Sequence, residues 1–222
     1  MVHRGTVCGG PEPYRRVVGA SGAPGHAPAM TRGLGRIGSL AAALALALAI
    51  ASIGPAAAAD PPKRAWNAEK YALSLLNCTR TGGWVKANGT CVARGSGKHS
   101  TYRRPLRRHT RISTRVAFPW ARNMVTYNVC GHSIAGKPNL GRRMARAGFK
   151  YPYYGENVGC GWGWGRPKDV VLMAHRAFQA EKSARGGHWR NIKNRGYKSV
   201  GIGVATRNGV TMVVYDFYGK RY

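Results

Sequence analysis

Tyr154-Gly155-Glu156-Asn157-Val158-Gly159 is the stretch of this 222-residue sequence that most narrows the choice of fold. A single acid stands between glycines in an aromatic-rich segment, and glycines in such a setting predict a turn. A turn would position the carboxylate of Glu156, which either accepts backbone N–H hydrogen bonds or takes part in chemistry. The residues themselves leave both roles open.

A second acid lies at the end of a predicted helix. The helix begins at Pro167, a favoured first-turn residue, and runs to about residue 182. Glu181 follows Phe178 by three residues and is therefore expected near the apolar face of this helix. A carboxylate near a core needs a partner. The alternative is a helix-end glutamate that reaches solvent or pairs with Arg185.

Two histidines lie in short glycine-flanked segments, His132 in Cys130-Gly131-His132-Ser133 and His188 in Gly186-Gly187-His188-Trp189. Together with Glu156 and Glu181 they form a candidate metal or acid/base cluster. Their spacing along the chain does not show that they converge. The remaining histidines after residue 59, His99, His109 and His175, are predicted to lie in loops or at the surface.

Helices are predicted to precede most of the strands. Apolar periodicity indicates helices over 65–77, 112–128, 140–147 and 167–182, with Pro119 expected to kink the second helix or shift its start. Residues 78–111 are expected to form a long loop, of which 94–111 is strongly basic. Residues 200–206 and 210–218 are rich in β-formers, and 207–209 between them predicts a hairpin. This order indicates the α+β class.

The N-terminal region has the pattern of an export signal. Residues 1–29 show no apolar periodicity and are interpreted as an extension outside any domain, with Met30 as a possible true start. Residues 30–59 contain a short basic segment, an alanine- and leucine-rich run and a small-residue site before Asp60, which together predict a secretory signal peptide. A transmembrane anchor is the alternative. The expected location is therefore secreted and extracellular.

The predicted mature chain, 60–222, is very basic. It carries 31 of the 36 Lys and Arg residues and six of the seven acids, so its formal net charge is +25. At this net charge the cations repel one another, and anionic partners such as wall polymers, lipid head groups or nucleic acid are favoured. The alternative is a solvated surface suited to an anionic wall.

Four cysteines remain in the mature chain, Cys78, Cys91, Cys130 and Cys160. An even number in an exported chain indicates two disulfides, for which three pairings exist. The pairing Cys78–Cys91 and Cys130–Cys160 is favoured, because the first closes a short glycine-rich loop and the second joins segments with candidate site residues. A zinc site made by four thiolates is disfavoured, since the chain has no C-x-x-C pair.

Six short segments in a fixed order resemble one known family. They include Asn77-Cys78-Thr79-Arg80 at the end of the first helix, His132 after the second helix, Gly155-Glu156-Asn157-Val158, Phe178-x-x-Glu181, Gly187-His188-x-x-Asn191-Ile192, and the strands with Gly201-Ile202-Gly203 and Tyr215-x-Phe217. Together they resemble the CAP family (SCP/PR-1-like) in its bacterial secreted form. The match extends over nearly the whole mature chain.

The resemblance implies a three-layer α-β-α sandwich in which His132, Glu156, Glu181 and His188 gather in one cleft. In some members of the family this tetrad holds a divalent metal, so it implies His132 and His188 as ligands, possible contributions from both glutamates, and zinc as a possible cofactor. The sequence departs from the family pattern at Pro119, in the basic insertion over 94–111, and at Phe178, where a tryptophan is common.

Three functional hypotheses follow. The first is a non-enzymatic extracellular module that binds lipid, wall polymer or another envelope component through the cleft and the basic surface. The second is a zinc-dependent hydrolase in which the histidines bind the metal and a glutamate acts as general base. The third is a cationic defence protein that acts on anionic envelopes or nucleic acid. A monomer is expected, without specific nucleic-acid binding or a membrane span after signal cleavage.

Overall fold

The computed structural model describes residues 6–7, 60–150, 153–163 and 165–219. The predicted signal peptide and, apart from Thr6 and Val7, the predicted N-terminal extension lie outside these residues. The described residues belong to one compact unit. Helices and strands both contribute to it, which confirms the predicted α+β class.

The strands form one main sheet and one separate hairpin. They are β1 (Thr6–Val7), β2 (Lys63–Arg64), β3 (Trp84–Val85), β4 (Cys91–Val92), β5 (Arg107–Arg108), β6 (Tyr154–Gly161), β7 (Tyr197–Arg207) and β8 (Val210–Gly219). The main sheet has the order β1-β6-β8-β7-β2, and β5 runs parallel to β7. Strands β6 and β7 each run antiparallel to β8, which lies between them, and β3 pairs with β4 outside this sheet.

The helices are α1 (Trp66–Arg80), α2 (Thr110–Ile112), α3 (Phe118–Tyr127), α4 (Leu140–Arg146), α5 (Pro167–Ala180) and α6 (Gly187–Lys193). A π-helical turn at Ser113–Ala117 joins α2 to α3. Within the described part of the chain, no helix is both long and apolar enough to cross a lipid bilayer.

Strand β8 explains why helices cover both faces of the sheet. Successive side chains of a strand point to opposite faces. Val213, Tyr215 and Phe217 therefore pack against α1 and α5, whereas Met212 and Val214 pack against α3. All five side chains are buried. The layers are helix, sheet and helix, which confirms the predicted α-β-α sandwich.

Pro119 is the second residue of α3 and follows directly after the π-helical turn. Proline cannot donate to the carbonyl one turn earlier, and a single π turn inside a helix changes the hydrogen-bonding pattern locally. The helix expected over 112–128 thus continues through the proline. This helix lies close to β7. A Cβ on Gly203 of β7 would collide with the backbone of Ala117 and Phe118, so the close approach depends on the glycine.

Both disulfides have the predicted pairing. Cys78–Cys91 ties the last turn of α1 to β4, and Cys130–Cys160 ties the segment after α3 to β6. The Cα–Cα separations of 5.8 and 6.0 Å lie in the usual range for disulfides. The second bridge lies two residues from His132 and therefore fixes the backbone that carries a candidate site residue.

The secondary structure differs from the prediction in three segments. The segment around Glu156 is strand β6 rather than a turn, and its Gly159 allows close packing, since a Cβ there would collide with Ala174 of α5. The loop expected over 78–111 contains the short strands β3, β4 and β5. Helix α6 was not predicted.

His175 is a core residue, and the prediction of a surface or loop position was wrong. It lies on α5, fully buried, four residues after Val171 and three before Phe178, which is the spacing of the apolar face. Its Nε2 lies 2.8 Å from Oγ1 of Thr79, which in turn donates to Gln179. Burial lowers the pKa of His175 to about 3.

The buried His175 predicts a loss of stability in acid. Its pKa in the folded protein lies below the ordinary value of about 6.5, so the unfolded chain takes up the proton first as pH falls. The stabilisation is complete above pH ~6.5 and is lost progressively toward pH ~3. When the pH is lowered from ~7 to ~4.5, we expect protonation of His175 in the unfolded chain to lower the free energy of unfolding by about 2–3 kcal/mol.

Urea denaturation of the wild type and of His175→Leu at both pH values measures this term. The variant is less stable at neutral pH, because Thr79 loses a partner, but it should lose less stability on acidification than the wild type. The other titrating groups are shared and cancel in the comparison. An equal loss on acidification in both proteins would contradict the assignment.

Candidate functional site

The four residues of the predicted tetrad come from both helical layers and meet beside β6. His132 lies in the segment between α3 and α4, and Glu156 lies on β6. Glu181 is the residue that caps the C-terminus of α5, and His188 is the second residue of α6. The rings of His132 and His188 face each other with their centroids 6.5 Å apart. The structure thus brings all four residues into one site.

Glu156 holds His132 and is itself held by Arg143. Its Oε1 lies 2.9 Å from Nδ1 of His132, and its Oε2 accepts a hydrogen bond of 2.6 Å from Arg143. The carboxylate is almost completely buried. Burial alone would raise the pKa of Glu156, but the hydrogen bond with His132 and the charge of Arg143 outweigh it and hold that pKa below its usual value.

Glu181 holds His188 in the same way from the other layer. Its Oε1 lies 2.6 Å from Nδ1 of His188, and its Oε2 accepts a hydrogen bond of 2.9 Å from the His188 backbone N–H. Gly186 makes room for this contact, because a Cβ there would collide with the Glu181 carboxylate. Burial lowers the pKa of His188, whereas the hydrogen bond and the charge of Glu181 oppose this lowering.

In both histidines Nδ1 is engaged by a carboxylate, so Nε2 is the ring nitrogen available to a ligand. A carboxylate on Nδ1 fixes the ring and favours the tautomer whose Nε2 is an acceptor. In the described residues, Nε2 of His188 is buried and has no hydrogen-bond partner. Phe178 packs against the His188 ring with a centroid distance of 4.5 Å. The site therefore presents two oriented imidazoles beside an aromatic side chain.

The donor set does not fit a catalytic zinc. Such zinc ions take three protein ligands and keep an open position. No group of three or more His, Cys, Asp or Glu residues that could hold a metal occurs in the part of the chain that the structure describes. Both oxygens of Glu156 and of Glu181 already accept hydrogen bonds. Two imidazole Nε2 atoms remain as ligands, one fewer than a catalytic zinc requires.

The crystal structure of an extracellular protein containing an SCP domain from Bacillus anthracis str. Ames is similar to this chain. The similarity has a TM-score of 0.49 and 18% sequence identity, and it covers 69% of this chain and 41% of that chain. This chain therefore spans less than half the length of that protein. No family model and no curated protein matches the sequence.

Arg143 and Asp216 belong to the site but were not predicted. Arg143 is buried between Glu156 and Asp216, 3.9 Å from the latter carboxylate, and its guanidinium stacks on Trp120 at 4.1 Å. Asp216 lies directly opposite Glu156 in the pairing of β8 with β6. Burial and the negative charge of Glu156 raise the pKa of Asp216 well above its usual value. An acid inside the apolar run of β8 was the signal in the sequence that pointed to it.

Two aromatic residues that flank β6 have structural contacts. Tyr153 packs against Tyr197 and donates a hydrogen bond to Asn194, and Nε1 of Trp162 donates to Asn128.

Proposed function

We propose that residues 60–222 form an exported, non-enzymatic binding module that holds an anionic component of a cell envelope. Lipid head groups and wall polymers are the candidate ligands. The basic surface supplies most of the attraction in this proposal. The cleft between His132 and His188 supplies a second, smaller contact.

The positions of the acidic residues are the main support for this proposal. The mature chain has six acids against 31 Lys and Arg residues. Three of these acids, Glu69, Glu156 and Asp216, are buried. Of the other three, Glu181 bonds to His188, Asp169 pairs with Arg166, and Asp60 is exposed. Almost no negative charge therefore remains at the surface to neutralise the cations, and anionic polymers are attracted.

Two further observations support an exported binding module. Disulfides persist in oxidising environments such as the extracellular space, and the structure contains two of them. The hydrolase hypothesis asks for a free carboxylate base near a metal-bound water. The engaged oxygens of Glu156 and Glu181 favour binding over hydrolysis.

Co-sedimentation of the purified, disulfide-bonded protein tests the proposal. The anionic surfaces are purified cell wall and vesicles that contain phosphatidylglycerol, and phosphatidylcholine vesicles are the neutral control. We expect retention on at least one anionic surface at ~0.05 M NaCl and release by ~0.5 M NaCl, because salt screens exposed charges. No retention on either anionic surface at low salt would refute the proposal. Leakage of vesicle contents would instead support the cationic defence hypothesis.

A further inference from the structure

A groove of about 1040 Å³ lies away from the histidine cleft, at the edge of the sheet that carries β5. The C-terminus of α1, the basic segment 102–107 and the start of β7 line it. Its cationic lining residues are Arg80, Arg103, Arg104, Arg107, Arg195 and Lys198. Tyr102, Pro105, Leu106 and Tyr197 complete the lining, so the groove contains no acid.

Two cations of this groove, Arg103 and Arg195, repel each other. Burial lowers the pKa of Arg103, and the charge of Arg195 lowers it further. The salt bridges found among the described residues involve none of Arg103, Arg104, Arg107 and Arg195. Bringing such charges together costs free energy, and a bound anion recovers it. The groove is therefore electrostatically suited to an anionic ligand.

The backbone beneath these cations is fixed before any ligand binds. Asn77 forms hydrogen bonds with both the N–H and the carbonyl of Leu106. The buried guanidinium of Arg80 donates to the carbonyls of Arg104 and Tyr197 on opposite sides of the groove. Arg103 donates to the carbonyl of Lys193. A preorganised site loses less entropy on binding than a mobile basic loop would.

We propose that this groove is a binding site for a ligand that carries two or more phosphate groups. The inference rests on the proposed function and gives it a location and a ligand chemistry. Arginine presents a planar fork of N–H donors that matches phosphate oxygens in pairs. Arg104, Arg107 and Arg195 are exposed and line the groove from two separate segments of the chain, so more than one fork is available to a ligand with several phosphates.

Calorimetric titration of the purified, disulfide-bonded protein with inorganic tripolyphosphate tests the proposal. The groove variant is Arg104→Gln/Arg107→Gln/Arg195→Gln, and the control Arg115→Gln/Arg122→Gln/Arg146→Gln removes the same charge from exposed positions of the other helical layer. We expect the groove variant to weaken binding by about tenfold or more and the control by about twofold or less. Equal weakening in both variants would overturn the proposal.

Two further arms define the ligand chemistry. Citrate carries comparable charge on carboxylates, and it is expected to bind more weakly than tripolyphosphate; equal binding would overturn the assignment to phosphate. The variant Arg104→Lys/Arg107→Lys/Arg195→Lys keeps the charge but removes the forks, so an intermediate loss is expected. This variant also keeps the test valid if the glutamine variant does not fold. Unchanged affinity in a folded lysine variant would overturn the role of the arginine forks.

Retention of the groove variant on vesicles that contain cardiolipin, whose head group carries two phosphates, and on purified wall separates the two sources of phosphate. Loss of retention on vesicles only assigns the groove to lipid head groups, and loss on wall only assigns it to a phosphate-bearing wall polymer. If the wild type is retained and the groove variant is retained equally on both, the groove proposal fails while the proposed function stands. If the wild type is retained on neither, the proposed function fails.

Discussion

The substitution Glu69→Gln is expected to lower the free energy of unfolding by about 3 kcal/mol, because it removes the charge from a buried ion-pair network. Glu69 is fully buried on α1, and its carboxylate accepts hydrogen bonds of 2.7 and 3.1 Å from Arg64 and another from Arg108. It also accepts a hydrogen bond from the backbone N–H of Val204. The two arginines keep some solvent contact, which places the expected cost at the lower end for a broken buried pair.

This network holds four elements together. Arg64 belongs to β2, Glu69 to α1, Arg108 to β5 and Val204 to β7. Strands β2 and β5 are only two residues long, so side-chain contacts supply much of their attachment to the sheet. Amide hydrogen exchange in β5 should therefore accelerate in Glu69→Gln more than exchange in the centre of β8.

Chemical denaturation of the wild type, Glu69→Gln and Asp169→Asn measures the effect. The pair Arg166–Asp169 is exposed, so Asp169→Asn is a control for the loss of one acid and is expected to leave the denaturation midpoint unchanged. If Glu69→Gln were as stable as the Asp169→Asn control, the network would not hold these elements in place.

The substitution Arg80→Lys has the second large expected effect, a loss of about 3 kcal/mol of unfolding free energy. The Arg80 guanidinium is buried at the end of α1 and donates to the carbonyls of Arg104, Ile192, Asn194 and Tyr197 at 2.6–3.0 Å. Burial and the charge of Arg103 lower the pKa of Arg80 to about 10. A single ammonium group cannot reach four carbonyls on separate segments, so some remain unsatisfied.

The matched control for this substitution is Arg104→Lys, since Arg104 is exposed and its carbonyl still accepts from Arg80. Thermal and urea denaturation should place the control near the wild type and Arg80→Lys well below both. Arg80→Lys should also bind tripolyphosphate more weakly at a temperature where it remains folded. The reason is that the groove backbone loses hydrogen bonds to the carbonyls of Arg104 and Tyr197. Stability equal to that of Arg104→Lys would contradict the role assigned to these hydrogen bonds.

The α+β class of the fold could be predicted because the long elements have clear periodicity, whereas the three-layer arrangement came from the resemblance. The alternating run of β8 and the apolar face of α5 each indicate their element within a few residues. Strands of two residues, such as β5, have no periodicity to detect, and they form only because Glu69 and β7 provide partners. The glycines of β6 predicted a turn, whereas Gly159 serves close packing against α5.

The candidate site could be predicted only in part. The convergence of His132, Glu156, Glu181 and His188 came from the resemblance, since their spacing in sequence is too wide to show it. The partners of each carboxylate depend on tertiary contacts and could not be predicted, which is why Arg143 was missed. His175 could have been placed in the core from its position on the apolar face of its helix. It was misassigned because a histidine was expected to face solvent.

The central claim is that surface charge holds this protein to an anionic envelope component. The measurement that tests it most directly is the association constant of the purified protein with the retaining surface, wall or vesicle, at several NaCl concentrations. Release of counterions predicts that log K falls linearly with log[NaCl], with a slope of about −3 or steeper if several cations take part. An association constant that stays unchanged between ~0.05 and ~0.5 M NaCl would contradict the claim and would direct attention to the histidine cleft instead.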